Sequence, residues 1–187
     1  VQVGFLFVAA VAFFLLVDTG GMALPGMLAT ILHECGHMAV LCAGGHTPKR
    51  ICLSPFGVDI VKQGGETSYP RELALSLAGP CVNLLLLAGC FLTGNGGTKF
   101  AAANLLIGAM NLLPVGPLDG GQALYALLCM RVPEEKAEKV SSVLSFLTLL
   151  PLAVAGFWLL LRSRYNFSLL LISCYLMLLL LLKRTRI

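Results

Sequence analysis

Six apolar runs dominate this sequence: Val1–Val17, Met22–Cys42, Leu73–Thr93, Phe100–Leu113, Val140–Leu161 and Phe167–Leu182. A helix of about 20 apolar residues crosses a hydrocarbon layer of about 30 Å, so most of these runs have the length of a membrane span. The 187-residue chain is 58% hydrophobic and only 12% charged. Soluble domains carry about 25% charged residues, so this chain has too little polar surface to enclose its own core in water. That excludes an ordinary soluble enzyme, a disordered region and a nucleic-acid-binding domain, despite a formal charge of +4. The fold class expected is an all-α polytopic membrane protein with six transmembrane helices, forming a single domain over residues 1–187.

The basic residues orient the spans. With a cytoplasmic N-terminus, 10 Lys and Arg fall on the cytoplasmic side and 3 (Lys99, Arg162, Arg164) on the other. The positive-inside bias therefore places both termini in the cytoplasm, and the terminal cluster Lys183–Arg186 anchors the last span to anionic lipid. The polar stretch Gly44–Glu72 is then cytoplasmic. Its centre, Arg50–Lys62, is rich in β-branched residues with turn signals at Pro55 and Gly57, which fits a short hairpin, a membrane-dipping loop or a plain surface linker. The first residue is Val1, which points to a trimmed start or a fragment. Seven scattered cysteines without a CxxC pair suggest neither a disulfide framework nor a thiolate metal site.

Chemistry enters at His33-Glu34-Cys35-Gly36-His37, inside the second run. On a helix, residues four apart share a face, so both imidazoles reach one zinc ion and Glu34 stands beside the first of them as a general base. The alternative is a pair of ordinary histidines near the membrane edge, but His and Glu within a span are costly unless paired or coordinated. A third ligand is needed. His46 reads as a loop histidine, and Asp18, Asp59, Glu66, Glu72, Glu134, Glu135 and Glu138 fall in loops or at span ends. Asp119 remains, in Asn111-Leu-Leu-Pro114-Val-Gly-Pro117-Leu-Asp119-Gly120-Gly121. The second and fourth runs point the same way through the membrane. His33 and His37 then lie about 17–23 Å into the layer, in its cytoplasmic half, where the Asp119 segment also arrives. Pro114, Pro117 and the glycine pair break the fourth helix there. A break at membrane depth is tolerated only where it lines a cavity, and its backbone groups can receive an extended peptide. A purely structural kink is the alternative.

The HExxH within a span, together with Asn111–Gly121, resembles the site-2 protease family of intramembrane zinc metalloproteases. Leu53-Ser-Pro-Phe-Gly57 and Ala78-Gly-Pro-Cys-Val-Asn83 are similar to segments of its sporulation branch, which processes pro-sigma-K in spore-forming bacteria. The resemblance runs from about Leu24 to Arg131. It implies zinc, one ion, held by His33, His37 and Asp119, with Glu34 as the catalytic glutamate. It also implies that Asn111 holds substrate or the developing oxyanion, and that Ile51–Val61 is a membrane-associated strand or loop receiving substrate. Phe56 and Gly57 become candidate substrate contacts there, as Pro114 does in the broken segment. Asn83 matches a family asparagine, with a packing role as the alternative. Neither the PDZ domain of some members nor the CBS domain of the sporulation branch is visible in the sequence.

The function expected is hydrolysis of a peptide bond in a membrane-associated or transmembrane protein near the cytoplasmic face of a bacterial cell membrane, with release of a sigma factor during sporulation as its narrower form. Membrane regulatory proteins are candidate partners, and no nucleic acid is expected. A membrane metal transporter and a proteolytically inactive scaffold are the rival readings. A transporter calls for several ligand clusters along a path, and the intact Glu34 argues against an inactive scaffold.

Overall fold

The computed structural model describes residues 2–3, 18–44, 48–54, 57–62, 68–162, 174 and 177. In chain order these form β1 (Gln2–Val3), α1 (Ala23–Ala43), β2 (Pro48–Ser54), β3 (Gly57–Lys62), α2 (Tyr69–Leu92), α3 (Lys99–Asn111), α4 (Asp119–Cys129) and α5 (Glu134–Arg162). Among the described residues, three helices are long and apolar enough to cross a membrane: Ala23–Ala43, Tyr69–Leu92 and Glu134–Trp158. Their large apolar side chains face outward, among them Leu24, Ile31, Leu85, Leu92, Leu147 and Val154. Such a surface is stable against lipid and not against water, so the chain is a multi-pass membrane protein.

The six expected runs fare differently. Met22–Cys42, Leu73–Thr93 and Val140–Leu161 correspond to α1, α2 and α5 within a few residues, and α5 begins earlier, directly after Pro133. The run Phe100–Leu113 yields only the 13 residues of α3. At about 1.5 Å per residue that is about 20 Å, too short to cross the hydrocarbon layer unaided. Of Val1–Val17 and Phe167–Leu182, only residues 2–3, 174 and 177 are described. The helix α4 was not expected, because Gly120 and Gly121 lower helix propensity at its start.

The chain divides into two compact units. The first comprises Val1–Ser68 and Leu77–Met110. In it α1, most of α2 and α3 approach through small residues. A Cβ on Gly36 would stand 2.8 Å from the Ala78 carbonyl oxygen, and one on Gly108 would stand 3.1 Å from the Asn83 Cβ. Helices in lipid gain no hydrophobic drive from association, so such close backbone packing and interhelical hydrogen bonds hold them together. Ala29, Ala101 and Ala103 fill the interior. The strands also belong to this unit. β2 and β3 pair antiparallel, with Ser54 opposite Gly57 and Ile51 opposite Ile60, and β1 pairs parallel to β2.

The second unit comprises Tyr69–Ser76 and Asn111–Ile187. Val115 and Leu149 are fully buried and form an apolar cluster in it, packed against Leu113, Leu118 and Met177. The charged stretch before α5 opens that helix as expected: Glu134 and Glu135 lie in its first turn, where the helix dipole favours negative charge. Glu134 also accepts a hydrogen bond from the Tyr69 hydroxyl. At the other end, the Arg162 guanidinium lies 5.5 Å from the Trp158 ring centroid, a cation–π pair at the close of the helix.

Helix α1 is capped from upstream. The Asp18 carboxylate accepts the Ala23 N–H at 2.6 Å and the Gly20 N–H at 3.1 Å, across a turn in which Gly21 takes φ 62°. The bond from Ala23 chiefly holds the Asp18 carboxyl below its ordinary value of 3.8. A carboxylate lowered in the folded state stabilises above its unfolded pKa and loses that effect as pH falls through the folded value. Thermal unfolding of the detergent-solubilised protein should therefore show an acid limb below about pH 4 that Asp18→Asn flattens. An identical limb in the variant would remove Asp18 as its source.

Candidate active site

The site begins on α1, where the HExxH spacing puts His33 and His37 one turn apart. Both are buried, and their rings meet edge to face with centroids 4.9 Å apart. The two Nε2 atoms are 3.2 Å apart. Asp119 is the first residue of α4 and is half-buried. The ligand atoms of His33, His37 and Asp119 all lie within 4.8 Å of one another, and these three form a group able to hold a metal ion.

The donor set fits zinc. Two imidazole nitrogens and one carboxylate oxygen are the borderline and hard donors that zinc takes, and three protein ligands are the number in a catalytic site. With bonds of about 2.0–2.1 Å, two nitrogens on a tetrahedral zinc stand about 3.3 Å apart, and the observed imidazole separation is close to that. The space beside them is kept by Gly79 of α2. A Cβ there would stand 2.3 Å from His37 Nε2 and 2.6 Å from His33 Nε2. Only glycine lets the α2 backbone pass so close to two rigid rings.

His33 is also tied to α2 by a side chain. Its Nδ1 lies 2.5 Å from Asn83 Oδ1, and the Asn83 amide donates to the Ala29 carbonyl at 3.3 Å and to Asn104 Oδ1 at 2.9 Å. The Asn104 amide donates in turn to the Phe100 carbonyl at 2.8 Å. Asn83 and Asn104 are fully buried. Glu34 follows His33 on α1 and is half-buried, and Asn111 is the last residue of α3, also half-buried.

The segment after Asn111 is tightly held. The Val115 N–H donates to the Leu113 carbonyl at 2.7 Å and the Leu118 N–H to the Val115 carbonyl at 2.8 Å. Ser145, fully buried on α5, accepts the Gly116 N–H at 3.0 Å, and its hydroxyl lies 3.2 Å from the Pro114 carbonyl and 2.7 Å from the Ser141 carbonyl. The glycines at the start of α4 allow this fold-back. A Cβ on Gly120 would stand 2.3 Å from the Leu112 oxygen, and one on Gly121 would stand 2.1 Å from the Val115 oxygen. The backbone groups of the break are thus largely bonded within their own unit, so the break offers an incoming peptide fewer open groups than the prolines alone suggest.

Of the residues singled out from sequence, the structure brings together His33, His37 and Asp119. Gly57 opens β3, opposite Ser54, while Phe56, His46 and Lys183–Arg186 lie outside the described residues. Asn104 and Ser145 escaped sequence reasoning, and Gly79 entered it only within the Ala78–Asn83 segment, with no role assigned. A lone amide in the apolar run Ala101-Ala-Ala-Asn104-Leu-Leu is a signal that could have found Asn104. Ser145 carries no such signal, being one serine among several.

Gly79→Ala should displace the imidazole pair while leaving the helices intact. Zinc retained after equilibration with a competing chelator should fall about tenfold or more, with helical circular dichroism unchanged. Full zinc retention would show that the cradle tolerates a methyl group.

Residues 97–152 match the model of Peptidase family M50, a stretch that includes Asn111, Pro114 and Asp119. The chain is 31% identical over 123 residues to the Stage IV sporulation protein FB of Bacillus subtilis, covering 62% of this chain and 43% of that protein. It is 34% identical over 137 residues to the putative zinc metalloprotease Rip3 of Mycobacterium tuberculosis, covering 65% of this chain and 34% of that protein. The chain therefore spans less than half the length of these curated relatives. Its fold is similar to that of the Site-2 Protease from Methanocaldococcus jannaschii, with a TM-score of 0.64 and 22% identity over 93% of this chain and 85% of that one. Matched segment, curated relatives and fold agree with the motifs: over residues 97–152 and in its fold the chain is similar to Peptidase family M50 and to a site-2 protease.

Proposed function

We propose that this chain is an intramembrane zinc metalloprotease that hydrolyses a peptide bond of a membrane-associated or transmembrane protein near the cytoplasmic face. The observation that carries this reading is the gathering of the His33, His37 and Asp119 ligand atoms within 4.8 Å, in a chain similar to proteins named as zinc metalloproteases. When bound, zinc supplies Lewis acidity that makes water a nucleophile near neutral pH and polarises a carbonyl.

The chain's own residues supply the rest. The Glu34 carboxylate takes a proton from the attacking water and returns it to the amide nitrogen as that nitrogen leaves. The Asn111 side-chain amide donates a hydrogen bond to the oxyanion, a contact whose loss typically costs about 100- to 1000-fold in rate. A helical substrate hides its carbonyls, so the scissile stretch must be held extended. The β2–β3 pair supports this part of the reading, because a strand edge receives an extended peptide by main-chain pairing. Phe56 and Gly57 are the substrate contacts assigned there, and Pro114 is the one assigned in the segment after Asn111.

In this reading residues 1–187 form one protease domain of six spans, the fourth completed by the segment that follows α3, with both termini in the cytoplasm, supported by the 10-to-3 division of basic residues. The narrower form, release of a membrane-tethered sigma factor, draws on the similarity to the sporulation protein of Bacillus subtilis. A metal transporter would need successive ligand clusters. Among the described residues one group of three is found.

Two substitutions test the proposal. Glu34→Gln should leave zinc stoichiometry unchanged and slow cleavage of a co-expressed membrane-tethered substrate by about 100- to 10,000-fold, and full cleavage by that variant would defeat it. Elemental analysis of Asp119→Asn should show reduced zinc, and an unchanged zinc content would strike Asp119 from the ligand set.

A further inference from the structure

We propose that Asn83 is a positioning residue that, backed by Asn104, holds His33 in the tautomer with its proton on Nδ1 and the Nε2 lone pair directed to the metal. This assignment is carried by the direction of a hydrogen-bond chain. It ends at two backbone carbonyls, Phe100 and Ala29, which accept and never donate.

The Asn104 group facing the Phe100 carbonyl must therefore be its NH2, as observed at 2.8 Å. That leaves Asn104 Oδ1 facing α2, where only a donor makes a bond. Asn83 supplies it through Nδ2, which also donates to the Ala29 carbonyl at 3.3 Å. Turning the Asn83 amide over would set its oxygen against two acceptors at once inside a fully buried site. Asn83 Oδ1 is thus committed to His33, and an oxygen 2.5 Å from Nδ1 requires the proton on that nitrogen. A neutral imidazole carries one proton, so Nε2 is bare, and Nε2 is the atom lying 3.2 Å from His37 Nε2. Two side-chain amides with no charge of their own decide which nitrogen of a ligand is available.

The placement also accounts for the cost of these residues. Asn83 and Asn104 lie fully buried on helices of an apolar bundle, where polar side chains are expensive and tend to be functional. Packing alone would be served by leucine or alanine. A partner that orients a ligating histidine typically changes metal affinity by about 10- to 100-fold.

The affinity part of this inference rests on the zinc-site reading; the tautomer part does not. The test uses the full chain in nanodiscs with 15N-labelled histidine, of which there are three to assign. In metal-free protein at a pH where the rings are neutral, the His33 proton should reside on Nδ1, and a proton on Nε2 would overturn the inference whatever the protein binds. Asn83→Ala should lose that single-tautomer signature and weaken zinc binding by about 10- to 100-fold against a competing chelator. Asn83→Asp keeps an acceptor facing Nδ1 and, with its second oxygen protonated, a donor for Asn104 Oδ1 and the Ala29 carbonyl, so it should retain the tautomer and recover part of the affinity. An Asn83→Ala protein with wild-type tautomer and zinc affinity would also overturn it. A variant that fails to fold leaves the wild-type tautomer to decide. A wild type that binds no zinc counts against the zinc-site reading alone.

Discussion

The arrangement of this protein depends on one constraint: polar atoms inside an apolar bundle must find partners within the protein. A buried group left without one costs about 1–3 kcal/mol, and hydrocarbon offers no alternative. The chain from Phe100 through Asn104 and Asn83 to His33 meets that constraint and makes it directional, because each amide has one orientation compatible with its neighbours. The same links tie α1, α2 and α3 to one another. Among the described residues no buried side-chain nitrogen or oxygen lacks a partner.

Close approach of backbones is the second condition, and glycine provides it where function demands it. Gly79 leaves room for two imidazoles, Gly36 brings α1 against Ala78 of α2, and Gly120 and Gly121 let the start of α4 receive the Leu112–Val115 backbone. In each case a methyl group would collide with a ring or with main chain, not with the end of a flexible side chain. The glycines that weaken α4 as a helix are thus the residues that allow Asp119 to begin it directly after a folded-back segment. Ser145 secures that segment from α5 through the Gly116 N–H and neighbouring carbonyls.

Legibility differed from element to element. The helices α1, α2 and α5 follow from apolar runs long enough to cross a membrane, since hydrophobic length is a local property. The HExxH pair was legible for the same reason: a four-residue spacing on a helix fixes two side chains on one face. Asp119 emerged by elimination, because few carboxylates occur in so apolar a chain. By contrast, α4 was hidden by its opening glycines, and the shortness of α3 by the apolar residues that continue past Asn111. Asn83 was visible as a family match whose role stayed open between chemistry and packing. Its three hydrogen bonds reach residues 21 to 54 positions away in the chain, and no local pattern encodes contacts of that separation.

The sequence by itself therefore determined that this is a membrane protein and which few polar groups stand in apolar surroundings. These are consequences of composition, run length and helical spacing. Only the tertiary structure decided that the His33, His37 and Asp119 ligand atoms gather within 4.8 Å, that Gly79 is the residue making room for the ring pair, and that Asn83 faces Nδ1 of His33. The physical reason is that a metal site and its supporting hydrogen bonds are set by distances between side chains far apart in the chain, and those distances exist only once the helices have packed.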